Sequence, residues 1–109
     1  MNDHQTMIET QKESSYKALS FSFSTALTRL KDGAKIKRAC WGAPYLWILP
    51  AATVKAEWCR EPHLKNLCTL NQGIIECEAS IRMWTHDGKV LTGWTPSQSD
   101  MFANDWIIL

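Results

Sequence analysis

The feature that most constrains the fold is a β-hairpin signal in the C-terminal third of the chain. Two β-prone runs, residues 81–85 and 89–94, flank the tripeptide His86-Asp87-Gly88. An Asp-Gly pair between such runs is the strongest short-range indication of a hairpin, because both residues tolerate the backbone angles of a tight turn. The chain is therefore expected to contain an antiparallel sheet, and its other elements must pack against that sheet.

A short helix is predicted ahead of the sheet. Apolar residues recur at helical spacing between Phe23 and Leu30, with Ser22 placed to cap the start and Gly33 placed to end the helix. Further strands are predicted at residues 35–39, 45–49 and 105–109. The predicted fold class is α+β: a small antiparallel β-sheet with an N-terminal helix and further short helices, in a single domain.

The domain is expected to begin at residue 21. Residues 1–20 are polar and mixed in charge, which is typical of a disordered extension. Residues 21–109 then form one domain, the number for which a chain of 109 residues has room. Within it, residues 51–78 are predicted to be an insertion with one or two short helices, interrupted at Pro62.

Composition excludes several classes of function. Twelve basic and eleven acidic residues leave a net charge of +1, whereas proteins that grip nucleic acid polymers usually carry a basic surplus. No apolar run approaches the ~18 residues of a membrane span and no signal peptide is present, so a soluble intracellular protein is expected. The motifs of hydrolases, nucleotide-hydrolysing loops and metalloenzymes are also missing, and neither an enzyme nor a cofactor is predicted.

The cysteines offer only a faint metal-site pattern. His63 lies between Cys59 and Cys68, but no cysteine pair has the spacing of a zinc ligand motif. Reduced structural thiols are the better interpretation, and no metal is predicted.

Six tryptophans are a heavy load for so short a chain, and one or two would suffice for a core. Some of them are therefore expected to form flat surfaces for a planar ligand or for an interface. For Trp47 and Trp106 we favour a place in the core.

Arg38 allows two interpretations. Period two in the strand 35–39 places it on the same face as Ile36, away from Lys35 and Lys37. A half-buried arginine needs an anionic partner. That partner is either a carboxylate such as Asp100 or Asp105, in a structural ion pair, or the phosphate of a ligand, because the guanidinium fork fits both groups.

A second cluster of polar groups follows the hairpin. Thr95, Pro96 and Gln98 have the pattern of a capping box that opens a short helix. Free N–H groups at a helix start suit a phosphate, and Trp94 can stack on a base. The same residues would also serve any corner between a sheet and a helix, so the pattern alone leaves both roles open.

Two blocks of the sequence resemble one known family. Residues 23–41 contain Phe23-Ser24-Thr25-Ala26-Leu27 and Lys37-Arg38-Ala39-Cys40-Trp41, and residues 94–106 read WTPSQSDMFANDW. Together these blocks resemble the Thoeris anti-defence 2-like family, in the same order along the chain. The resemblance extends over residues 21–49 and 81–109, and leaves out residues 1–20 and the insertion.

The resemblance implies a phage protein that acts in the cytoplasm of infected bacteria. Members of the family capture cyclic ADP-ribose isomers such as glycocyclic ADP-ribose and release them intact, and some relatives also hold cyclic oligonucleotides. They are homo-oligomers, typically tetramers, with pockets shared between protomers. Carried onto this chain, the candidate ligand-binding residues are Arg38, Trp41, Trp94, Thr95, Pro96, Ser97, Gln98 and Asp100.

Two other functions compete with nucleotide capture. The exposed tryptophans could bind a host defence enzyme directly, as a protein inhibitor. Alternatively, the protein could degrade the nucleotide, in which case the released product would be altered.

Overall fold

A computed structural model describes residues 19–109 of the chain. The extension predicted at residues 1–20 lies outside the described residues, apart from Leu19 and Ser20. The described part divides into two compact units, residues 19–48 together with 81–109, and residues 49–80. Each unit is built differently.

The first unit is a six-stranded antiparallel sheet with two helices. Its elements in chain order are β1 (Ser20–Phe21), α1 (Phe23–Lys31), β2 (Ile36–Arg38), β3 (Tyr45–Leu49), β6 (Ser80–Trp84), β7 (Val90–Thr92), α3 (Gln98–Phe102) and β8 (Trp106–Ile108). The strands lie in the order β1-β8-β2-β3-β6-β7. The predicted α+β fold class is confirmed.

The first helix forms as its sequence predicts. The Ser22 hydroxyl accepts a hydrogen bond from the Thr25 N–H at 3.2 Å, which satisfies one of the free donors of the first turn. Helix α1 ends at Lys31, and Gly33 follows with a φ of +104°. The buried side chains Ala26 and Leu30 lie one turn apart and therefore share one face of the helix.

The core of this unit lies between α1 and one face of the sheet. Its fully buried members are Ala26, Leu30, Ile36, Leu46 and Trp106. Trp106 is thus confirmed as a core residue. The same expectation for Trp47 is wrong: its neighbours Leu46 and Ile48 face the core, so the alternation of β3 turns Trp47 to the other face, 5.7 Å from the Tyr45 ring.

The C-terminal hairpin is confirmed. Strands β6 and β7 pair with Met83 opposite Leu91, and the Thr85 N–H donates to the Lys89 carbonyl at 2.8 Å to close the loop. Gly88 has a φ of +78°, which the last position of a three-residue hairpin loop requires.

The second unit consists of β4 (Ala52–Lys55), a 3₁₀ turn at Ala56–Trp58, α2 (Pro62–Leu70) and β5 (Ile74–Cys77). Strands β4 and β5 form a separate two-stranded antiparallel sheet that the sequence analysis missed. The one or two short helices predicted for the insertion are present as the 3₁₀ turn and α2, and the helical stretch is interrupted before Pro62 as expected. Proline fits the first position of a helix, where its missing N–H is not needed, and Pro62 begins α2.

Among the described residues, no helix is both long enough and apolar enough to span a bilayer.

Candidate functional site

Strand β2 brings Arg38 against two carboxylates. Its Nε donates to Asp105 Oδ1 at 2.9 Å, and its Nη1 donates to Asp100 Oδ1 at 3.1 Å. The side chains of Arg38 and Asp100 are 19% and 14% exposed. The structural ion pair, one of the two alternatives for Arg38, is therefore present with both candidate acids at once.

The charges at this point sum to one negative unit, because one guanidinium faces two carboxylates. The pKa of Arg38 is raised mainly by the hydrogen bond to Asp105, with burial opposing and Asp100 adding to the effect. Burial alone would raise the pKa of Asp100, but hydrogen bonds with Ser97 and Arg38 outweigh it and hold the value below its usual range. These ion pairs hold β2 against the segment that contains both acids, and they leave no net positive charge at this point.

This depressed pKa predicts a loss of stability in acid. A carboxyl whose folded pKa is lowered contributes stability above its unfolded pKa of about 3.9, and that contribution disappears as the pH falls through the folded value. We expect Asp100→Asn to be less stable than the wild type at pH 6, with the difference shrinking towards pH 2. Urea denaturation at a series of pH values measures it. Asp32→Asn, which removes an exposed carboxyl, is the matched control, and a difference that stays constant with pH would contradict the role given to Asp100.

Three indole rings meet beside the ion pair, and we call Trp41, Trp94 and Trp106 the tryptophan corner. The Trp41 ring centroid lies 5.4 Å from that of Trp106 and 6.0 Å from that of Trp94, in edge-to-face geometry. The Trp106 Nε1 donates to the Asp100 carbonyl at 2.9 Å, which connects the buried ring to α3. Trp106 is fully buried, whereas Trp41 and Trp94 are half-buried and keep part of each ring accessible.

A β-bulge directs Trp94 into the corner. The N–H groups of Gly93 and Trp94 both donate to the Ile81 carbonyl, at 2.9 and 3.0 Å, so two residues of one strand face one residue of the other. Gly93 has a φ of +89°, which this type of bulge requires at its first position. The bulge ends the pairing of β7 and aims Trp94 at the core cluster instead of the opposite face.

Trp41 is placed by a turn at the end of β2. Its N–H donates to the Arg38 carbonyl at 3.0 Å, and the Ala39 N–H donates to the Asp105 carbonyl at 2.9 Å. Arg38 therefore supports the corner twice, through its side chain on the acids and through its backbone on the tryptophan turn.

The predicted capping box lies two residues further along than expected. Ser97, not Thr95, is the N-cap: its hydroxyl accepts from the Asp100 N–H at 3.0 Å, and its own N–H donates to Asp100 Oδ2 at 2.9 Å. Asp100 prevails over Gln98 as the reciprocal partner because its carboxylate also meets Arg38. The start of α3 is thus already served by its own carboxylate, where a phosphate would be repelled.

The remaining predicted residues follow Trp94 in the chain. Thr95 and Gln98 are exposed beside half-buried Pro96 and Trp94. Among the eight predicted residues, hydrogen bonds join Arg38 and Ser97 to Asp100 and a ring contact joins Trp41 to Trp94, while Thr95, Pro96 and Gln98 lie in the same segment 94–100. Their contact with a ligand stays a prediction.

The sequence analysis missed two cations of interest. The Lys37 ammonium donates to the Gly42 carbonyl in the turn after Trp41, and no carboxylate in the described part of the chain pairs with it. Period two places Lys37 on the face opposite Arg38, so the contact of its ammonium with the turn at Gly42 was not predicted. Arg82, on β6, has a buried Nε without a hydrogen-bond partner in residues 19–109.

The site at the tryptophan corner is distinct from an apolar cavity in the same unit. This cavity of about 290 Å³ lies at the β1 edge of the sheet, lined by Leu19, Phe21, Arg29, Ile107 and Ile108. No group of three or more metal-ligating side chains occurs among residues 19–109.

Comparison with known proteins identifies the family. The model of the Thoeris anti-defence 2-like domain matches residues 21–109, which includes the second unit as well as the two blocks of the sheet. A search of curated proteins found no match. The chain belongs to the Thoeris anti-defence 2-like family, and this membership supports a role in phage anti-defence.

Proposed function

We propose that this protein binds and sequesters a cyclic nucleotide immune signal without degrading it. The ligand class is a cyclic ADP-ribose isomer such as glycocyclic ADP-ribose, with cyclic oligonucleotides as further candidates, and the place of action is the cytoplasm of the infected bacterial host. Membership of an anti-defence family supports the role. The observation that favours a ligand with a planar base is the pair of half-buried indole rings at the tryptophan corner, and the cyclic ADP-ribose class is what the family resemblance implies.

The corner offers what a nucleoside needs. Trp41 and Trp94 are held by the buried Trp106 ring, so that their accessible surfaces are oriented before a base arrives. Stacking of a base on an aromatic side chain contributes about 1–3 kcal/mol. Thr95, Gln98 and Ser99 are exposed and follow Trp94 within five residues of the chain. Their polar groups can bind ribose hydroxyls or base edges.

The phosphates require a different part of the surface. Arg38 is committed to Asp100 and Asp105, and the charge there is already negative. Lys37, which reaches the turn at Gly42, is the cation of the same chain best placed to meet a phosphate. One ammonium does not balance a diphosphate, so we propose that a second protomer completes the pocket.

Shared pockets require a homo-oligomer, and we propose a tetramer. The outer strand β7 supports association, since Val90 and Leu91 are 51% and 46% exposed at an edge of the sheet. Light scattering on the purified protein tests this directly. A mass near four times the 12.4 kDa chain is expected, and a monomer mass would contradict the shared pocket.

The deciding experiment is calorimetric titration of the purified protein with cyclic ADP-ribose isomers, a cyclic dinucleotide and a cyclic trinucleotide. Tight binding to at least one ligand is expected. The loaded protein is then heated, and the released nucleotide is identified by mass and chromatography. An unmodified ligand agrees with sequestration, whereas a cleaved ligand would show a hydrolase.

Failure of the whole panel to bind a folded sample would overturn the proposal in favour of a protein-binding inhibitor. The surface for such a partner would include α3, where Phe102 is 78% exposed. Complex formation with a host defence enzyme, unaffected by added nucleotide, would then be the observation to seek.

A further inference from the structure

Two thiols meet inside the second unit of the chain. Cys59 follows the 3₁₀ turn and Cys68 lies in α2, and their Sγ atoms are 3.7 Å apart. Cys68 is fully buried, while Cys59 is half-buried. The two cysteines are nine residues apart in the sequence, and the sequence analysis considered them only as part of a faint metal-site pattern with His63.

Both thiols are oriented by strand β4. The Cys59 Sγ lies 3.4 Å from the Lys55 carbonyl oxygen, and the Cys68 Sγ lies 3.6 Å from the Val54 carbonyl oxygen. A disulfide has a sulfur separation of about 2.05 Å, so closure requires an approach of roughly 1.6 Å shared by the two side chains. Cys59 lies outside regular helix or strand, so its backbone can also adjust as the two sulfur atoms approach.

We propose that Cys59 and Cys68 are a redox modification site that a low-molecular-weight disulfide oxidises to an intramolecular disulfide. The thiolate of Cys59 attacks one sulfur of the oxidant and expels a small-molecule thiolate. Cys68, after losing its proton, then attacks Cys59 Sγ in the mixed disulfide and expels the second small-molecule thiol. The two protein thiols lose two electrons and two protons, and the oxidant is reduced to two thiols.

The order of these steps follows from burial. Cys59 is the more accessible sulfur, so the oxidant reaches it first. Burial raises the pKa of Cys68, and the hydrogen bond with Cys59 raises it further, so the proton stays on Cys68 until the mixed disulfide has formed.

The Cys59–Cys68 disulfide would link the end of the 3₁₀ turn covalently to α2. Small elements such as these have little apolar burial of their own, and in this unit Cys68 is the fully buried residue of the core. A covalent link that shortens the free loop of the unfolded chain stabilises the folded form. The inference does not depend on the proposed ligand, since it concerns residues 49–80 alone.

The test uses the full chain, reduced and then incubated with oxidised glutathione. We expect a peptide map that joins Cys59 to Cys68, and, in the Cys40→Ser protein, which lacks the exposed thiol, a loss of about 2 Da without a retained adduct. The melting temperature of the oxidised protein should be several degrees higher and should return to its original value on reduction.

Matched variants make the assignment specific. Cys59→Ser and Cys68→Ser should each abolish the internal disulfide, whereas Cys40→Ser and Cys77→Ser should leave it unchanged. Because buried Cys68→Ser can unfold the unit, Cys59→Ser carries the decision. A bridge to Cys77, a stable glutathione adduct at Cys59 of the wild type, or four thiols that remain free would each overturn the proposal.

Discussion

Replacement of Trp106 by alanine is expected to lower the free energy of unfolding by about 3–5 kcal/mol, the range for removing a large aromatic side chain from a core. Trp106 is fully buried, packs 5.3 Å from the Phe23 ring and 5.4 Å from the Trp41 ring, and binds the Asp100 carbonyl through its Nε1. Small domains have about 5–15 kcal/mol of total stability. Chemical denaturation should therefore show a clearly lower midpoint than that of the wild type.

Two further variants separate the causes of this loss. Trp106→Phe retains a buried ring but removes the N–H donor to Asp100, so we expect a loss between those of the alanine variant and the wild type. Trp58→Ala removes a ring that is 61% exposed and should change stability by less than about 1 kcal/mol. A Trp106→Ala protein as stable as the Trp58→Ala protein would show that the core is assigned incorrectly.

The parts of the fold that the sequence predicted depend on local interactions. The hairpin loop needs a positive φ at Gly88, and α1 needs a hydroxyl at Ser22 and apolar residues at helical spacing. Each of these requirements is met within a few residues of the chain. Periodicity and turn chemistry therefore suffice to predict them.

The error in the capping box has a non-local cause. Thr95 and Ser97 are both good N-cap residues, and each is followed three residues later by a residue that can reach back. Asp100 decides between them because it also bonds Arg38, which is 62 residues away in the sequence. No pattern within the segment contains that information.

The second sheet of the insertion was missed for a different reason, although the interruption of the helical stretch at Pro62 was predicted correctly. The β4–β5 pair joins residues such as Thr53 and Glu76 across the intervening helix. A helix, and not a short turn, connects the two strands, so no hairpin signal in the sequence indicated the second sheet.

Arg38 shows how a correct observation can leave a role open. Its place on the core-facing side of β2 follows from period two alone, and so does its need for an anion. In the sequence alone, a carboxylate and a phosphate satisfy that need equally well. The three-dimensional structure supplies both carboxylates, so the ion pairs meet the need of Arg38 for an anion, and a contact of Arg38 with a ligand phosphate stays a prediction.

The two tryptophans of the proposed pocket also contribute to the packing, so a ligand test must not confuse the two effects. Both half-buried rings contact Trp106, and truncation to alanine would loosen the corner. Leucine keeps most of the apolar volume but has no flat surface for a base. Phenylalanine keeps a plane, and it serves as the rescue variant.

Trp94→Leu is expected to weaken nucleotide binding by about 1–3 kcal/mol, which corresponds to roughly a 5- to 150-fold increase in Kd. Titration calorimetry with the tightest ligand of the panel measures this change, and Trp94→Phe should recover part of the affinity because a ring remains to stack on the base. Trp47→Leu is the matched control, since Trp47 is also half-buried but faces away from the core cluster. If Trp94→Leu folds and retains wild-type affinity, or if Trp47→Leu loses as much, the base does not stack at the tryptophan corner. In that case Trp94 would be a packing residue, directed inward by the Gly93 bulge to complete the core.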